Sequence, residues 1–212
     1  EAREHTAQVS SEEREEREAR QAAASGLDVD AAKSKAEAQY RGGEFKAAAT
    51  TLEAAAKGAP KSDAAELRKL AADYKTISKG IVAGEAADSP TDALRALQAA
   101  VGADSRAGGE HADQITSLIG KVAPKAAVQY MSTGRLADAY KATQAAARAG
   151  AGDSASVKSV KSNLESQAAS YYSEGIKLLD LSPEEGRRKL EAIKTFVPET
   201  SPWYKKASAA LN

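Results

Sequence analysis

Two stretches of this chain repeat one spaced set of small and apolar residues. The first reads Ala36, Gly43, Phe45, Ala48, Leu52, Ala55. The second reads Ala127, Gly134, Leu136, Ala139, Thr143, Ala146, each position displaced by 91 residues from its counterpart. Self-similarity at a fixed spacing marks stacked supersecondary units, none of which buries its apolar face alone. It points to a scaffold of recurring helix pairs, and so to binding rather than chemistry.

Composition agrees. Alanine is abundant and aromatics are only 5% of residues. Helix formers dominate and strand-favouring residues are sparse, so the chain is expected to be nearly all helix. Small side chains let helices approach closely, which predicts thin, tightly packed helices. At 212 residues the chain can bury a core as one domain or two small ones.

Residues 1–26 form a polar lead-in or spacer. Ser10 and Glu13 have capping-box spacing, and Glu13–Arg17 and Glu16–Arg20 pair at i,i+4. Helices are then expected from Asp28 or Asp30 to Arg41, from Glu44 to Lys57, and from Ser62 or Asp63 to Ala87, followed by a short one from Ser89-Pro90 to Val101. Residues 102–109 read as a loop. Ile115, Leu118, Ile119 and Val122 mark the next helix, which Pro124 either kinks or separates from a helix through Tyr130. Further helices follow over 136–149 and 154–181, from Ser182-Pro183 to about Pro198, and from Ser201-Pro202 to Leu211.

The duplication extends further. Ser78-Lys79-Gly80-Ile81 corresponds to Ser173-Glu174-Gly175-Ile176, and Ser89-Pro90 to Ser182-Pro183. The expected organisation of 27–212 is therefore two four-helix units, 27–121 and 122–212, duplicated at roughly 92 residues.

One repeat resembles the tetratricopeptide (TPR) family. Ala36, Gly43, Phe45, Ala48, Leu52, Ala55 and Pro60 fall at its spacing of small, Gly, aromatic, Ala, large apolar, Ala and Pro, and Ala127, Tyr130, Gly134, Leu136, Ala139 and Ala146 follow in the other copy. The match covers 31–60 and 122–150. Elsewhere only Ala93, Leu97 and Ala100, then Leu190, Ile193 and Pro198, keep the pattern. The resemblance implies a divergent, bacterial TPR-like α-solenoid of antiparallel helix hairpins. The family's peptide-gripping residues have no counterpart here.

Thirty basic and thirty acidic side chains balance, so no general attraction to nucleic acid or anionic lipid follows. Residues 1–120 carry 16 basic and 21 acidic groups, and 121–212 carry 14 and 9, a mild asymmetry. There is no cysteine, which excludes disulfides and thiolate chemistry. No apolar run reaches the roughly 20 residues that span a bilayer, so no membrane insertion is expected in this segment. Opening at Glu1 within charged sequence, the chain reads as a piece of a longer or processed protein. An anchor upstream could hold it at a membrane, in the cytoplasm or the periplasm.

No catalytic, cofactor or metal site is expected. His5 and His111 lack ligand spacing and read as exposed. Gly42-Gly43-Glu44-Phe45 is similar to the signature tetrapeptide of diguanylate cyclases, but those residues also fit the repeat's turn. Arg187-Arg188-Lys189 is the densest basic cluster, with Glu184, Glu185 and Glu191 at pairing distance along a helix. Tyr171, Tyr172, Phe196, Trp203 and Tyr204 read first as core at the end of an array, and second as anchors for a partner. Arg187, Arg188, Trp203 and Tyr204 are thus the candidate partner contacts. The expected function is a non-enzymatic protein–protein interaction scaffold, gripping a peptide, a helix or a partner subunit, with self-association as a further option. The alternative is a structural spacer or envelope module of a larger membrane-anchored or signalling protein.

Overall fold

A computed structural model describes residues 29–212. The lead-in at 1–26, with Ser10, Glu13 and His5, lies outside the described residues. Among those described, the chain is all-helical and has no strand. Nine helices follow in order: α1 (Val29–Arg41), α2 (Phe45–Gly58), α3 (Lys61–Ala86), α4 (Pro90–Ala107), α5 (Ala112–Ser132), α6 (Leu136–Arg148), α7 (Ala155–Leu181), α8 (Pro183–Phe196) and α9 (Pro202–Leu211). They form two compact units. One holds residues 29–79 and 99–112, the other 80–98 and 113–212, with boundaries inside α3 and α4.

In the first unit α1 and α2 fold back on each other. The turn between them is closed by two backbone bonds, from the Gly43 N–H to the Tyr40 carbonyl (2.9 Å) and from the Glu44 N–H to the Gln39 carbonyl (2.8 Å). This is a Schellman-type ending, and it demands a left-handed residue, which Gly43 supplies at φ +78°. Ala59 beyond α2 is extended, as a residue before proline prefers. Alanine fills much of the core: Ala36, Ala48, Ala49, Ala55 and Ala56 are buried beside Leu52, Leu67, Tyr40 and Tyr74.

In the second unit the turn between α5 and α6 repeats that chemistry. The Gly134 N–H bonds the Met131 carbonyl (3.1 Å) and the Arg135 N–H bonds the Tyr130 carbonyl (2.9 Å), with Gly134 at φ +71°. α7 and α8 are joined through Ser182 alone and pack tightly, while α6 and α9 each pack on both. Ser154 caps α7 by accepting from the Val157 N–H, and Ser201 caps α9 by accepting from the Trp203 N–H. Glycines set the helix spacing. A Cβ built on Gly84 of α3 would meet Leu97 of α4 at 3.0 Å, and one on Gly175 of α7 would meet Leu190 of α8 at 3.0 Å.

Two expectations are revised. The expected loop over residues 102–109 shrinks to Gly108 and Gly109, because α4 continues to Ala107. Ala103 and Asp104 are both buried, and the packing of Ala103 with the bonds that Asp104 accepts from Tyr40 and His111 outweighs the roughly 1 kcal/mol that Gly102 costs a helix. Pro124 does not separate two helices. It lies buried inside α5, which carries on to Ser132.

Candidate interaction surface

The positions expected to repeat divide by role. Ala36, Phe45, Ala48, Leu52, Ala55, Ala127, Ala139 and Ala146 are buried. Gly43 and Gly134 lie exposed in the turns, and Leu136 is half-buried. These residues serve packing and turns rather than the exposed surface.

The C-terminal helices present the cations and aromatics. Arg187 and Arg188 are exposed on α8. Arg188 pairs with Glu184 one turn back, at 3.6 Å. Lys189 departs from local pairing and reaches Glu174 of α7, with its ammonium 5.5 Å from the Tyr171 ring centre. Beside Arg188 an open hollow of about 310 Å³ is lined by Leu178, Glu185, Lys189 and Ala192.

Of the C-terminal aromatics only Phe196 is buried, with Tyr171 edge-on at 5.4 Å. Trp203 and Tyr204 are half-buried, so the core reading of these two is revised. Trp203 leans on Tyr172 at 5.8 Å, and the Lys206 ammonium lies 4.4 Å from its ring centre. Lys194 lies 5.7 Å from the ring of Tyr204. Each of these two rings thus has an ammonium over it, a contact worth about 0.5–1 kcal/mol at such a site. Among the described residues no bond or ring contact joins the arginine pair to Trp203 or Tyr204.

A cavity of about 260 Å³ opens between α6, α7 and the end of α8. Tyr140, Leu164, Phe196 and Val197 supply its apolar wall, and Gln144, Lys161 and Glu165 its polar groups. The second oxygen of Glu165 accepts the Ser201 hydroxyl at 2.8 Å.

Sequence reasoning missed a polar cluster in the first unit. The Tyr40 hydroxyl donates to Asp104 Oδ1 at 2.5 Å. The same oxygen accepts the His111 backbone N–H at 3.3 Å, and His111 Nε2 lies 2.7 Å from the Tyr40 carbonyl oxygen. His111 is therefore half-buried, not exposed, with its ring edge-on to Tyr40 and Phe45. Burial, helped by the Asp104 carboxylate, pushes the Tyr40 phenol well above its ordinary range. Burial also raises that of Tyr74, which stacks on Tyr40 at 4.7 Å. Nearby, Arg106 grips the nearly buried Asp73 through both Nε and Nη2. Among the described residues no buried side-chain polar atom is left without a partner, and no cluster has the make-up of a metal site. These groups tie α1, α3 and α4 together.

No described helix is long and apolar enough to cross a membrane. Compared with protein-family models, curated proteins and solved structures, the chain finds no match.

Proposed function

We propose that the chain is a divergent TPR-like α-solenoid of antiparallel helix hairpins, duplicated at roughly 92 residues, that acts as a non-enzymatic protein–protein interaction scaffold. The observation that carries this reading is the pair of hairpin turns. Two local backbone hydrogen bonds close α1–α2, and their counterparts, displaced by 91 residues in the chain, close α5–α6, around glycines of like conformation. The glycine–leucine contacts at Gly84–Leu97 and Gly175–Leu190 support it at the level of packing. Repeat scaffolds use their side-chain surface to grip extended or helical segments. Here that surface offers Arg187 and Arg188 as free or weakly paired cations beside an open hollow of mixed apolar and charged lining, and Trp203 and Tyr204 as partly covered rings; arginine and aromatic side chains are enriched at binding hot spots.

The test is site-specific photo-crosslinking in the native cell, with the probe at Arg188 or Tyr204 and a control at exposed Lys46. The expected result is one partner, or the chain itself, captured from the first two sites and lost when Arg187→Glu and Arg188→Glu are combined. Absence of any adduct from either site, with a monomer by sedimentation, overturns the reading.

A further inference from the structure

The cavity between α6, α7 and the end of α8 has a chemistry of its own. Its wall is apolar and partly aromatic, from Tyr140, Leu164, Phe196 and Val197. Its polar groups are unequally satisfied. Glu165 holds the Ser201 hydroxyl and faces the first turn of α9, whose backbone N–H groups favour negative charge. Lys161, one turn earlier on α7, is exposed and has no ion-pair or hydrogen-bond partner among the described residues. An i,i+4 pair with Lys161 is forgone because Glu165 turns to Ser201, and Lys ahead of Glu is the weaker order in any case. The Gln144 amide also has no partner among the described residues. The lining therefore combines an apolar interior with a cation that no described side chain pairs with, while the Glu165 carboxylate is held by the Ser201 hydroxyl.

We propose that this cavity binds a small carboxylate carrying one aromatic ring. At about 260 Å³ it exceeds the roughly 150 Å³ that suffices for benzene, leaving room for one ring and a short tether. Tyr140 and Phe196 offer ring edges and faces to an aromatic guest. Lys161 takes the carboxylate as a charge-assisted hydrogen bond, and Gln144 supplies a further donor. The ligand binds whether or not a protein partner occupies the helical surface.

The experiment is an NMR titration of the whole chain, following the methyl groups of Leu164 and Val197, with 3-phenylpropionate and with its neutral amide. Saturable shifts of these methyls are expected, with the carboxylate bound about 3- to 10-fold more tightly than the amide. Lys161→Gln, at an exposed helix position, should erase that preference, bringing the acid down to about the amide's affinity. Gln144→Trp should fill the opening and abolish binding of both. Unmoved methyls, equal affinity for acid and amide, or a preference that survives Lys161→Gln would each overturn the proposal. Shifts confined to other parts of the chain would count against it equally.

Discussion

Gly186 of α8 lies so close to Gly175 of α7 that a Cβ built on it would sit 2.9 Å from the Gly175 carbonyl oxygen and 2.7 Å from the Leu179 nitrogen. Backbone meets backbone there, so no neighbouring side chain can swing away. Gly186→Ala should destabilise the second unit by about 1–3 kcal/mol, although alanine is the better helix former. Gly102→Ala in α4, where only Arg106 lies within reach, at 3.6 Å, should instead stabilise by up to about 1 kcal/mol. Urea denaturation of the two variants checks the opposite signs.

Ala87, just past α3, is held at φ +50°. A side chain in the left-handed region costs about 1–2 kcal/mol. Ala87→Gly is expected to stabilise by about 1 kcal/mol, less what glycine loses in unfolded-state entropy. A fall in thermal midpoint would contradict this.

The raised Tyr40 phenol links stability to alkaline pH. The unfolded phenol ionises near pH 10.0 while the folded one resists ionisation. Its contribution is therefore fully present below about pH 10 and fades as the pH climbs toward the folded value. Tyr40→Phe should cost about 1–3 kcal/mol at neutral pH, since Asp104 is only 2% exposed and loses a donor. It should also flatten the alkaline decline, leaving the part due to Tyr74. Denaturant midpoints across pH 8 to 11 for the two proteins provide the comparison.

Asp73 and Arg106 are unequal partners. The Asp73 side chain is 10% exposed and that of Arg106 is 54% exposed. Removing the cation strands a nearly buried carboxylate, whereas neutralising the acid leaves a guanidinium that water can reach. Arg106→Met should thus destabilise more than Asp73→Asn, by at least about 1 kcal/mol. Equal losses would show that Asp73 finds another donor.

Trp203 is the sole tryptophan, which makes its fluorescence a direct report. Half-buried beneath Lys206, it should be quenched less than free indole, and more by iodide than by caesium because the ammonium gathers anions. Lys206→Glu should invert that order. Quenching by iodide equal to that of the free amino acid would mean the ring is not held against Tyr172.

Helix positions were largely legible because turn chemistry is local. Gly42-Gly43, Gly134, Ser154, Ser182-Pro183 and Ser201-Pro202 each mark a boundary by conformation or capping, whatever the rest of the chain does. Residues 102–107 misled because composition reports propensity, whereas the packing of Ala103 and the bonds to buried Asp104 decided the outcome. Asp104 looks like every other acid in the sequence, and its partners Tyr40 and His111 arrive from 64 residues before it and 7 after. His111 seemed exposed for the same reason, since nothing adjacent reveals that Phe45 and Tyr40 form its pocket. The cavity carries no local sign at all, because Tyr140, Leu164 and Val197 become neighbours only through packing.

At Gly43 and Gly134 an added Cβ would find no atom within 4 Å. Room is plentiful, so what these two turns reject in an ordinary residue is its handedness. A mirror-image alanine introduced by chemical ligation at either site would follow the same path round the corner and stiffen the unfolded chain as well. The bends of these hairpins are thus written as two missing stereocentres rather than two missing volumes.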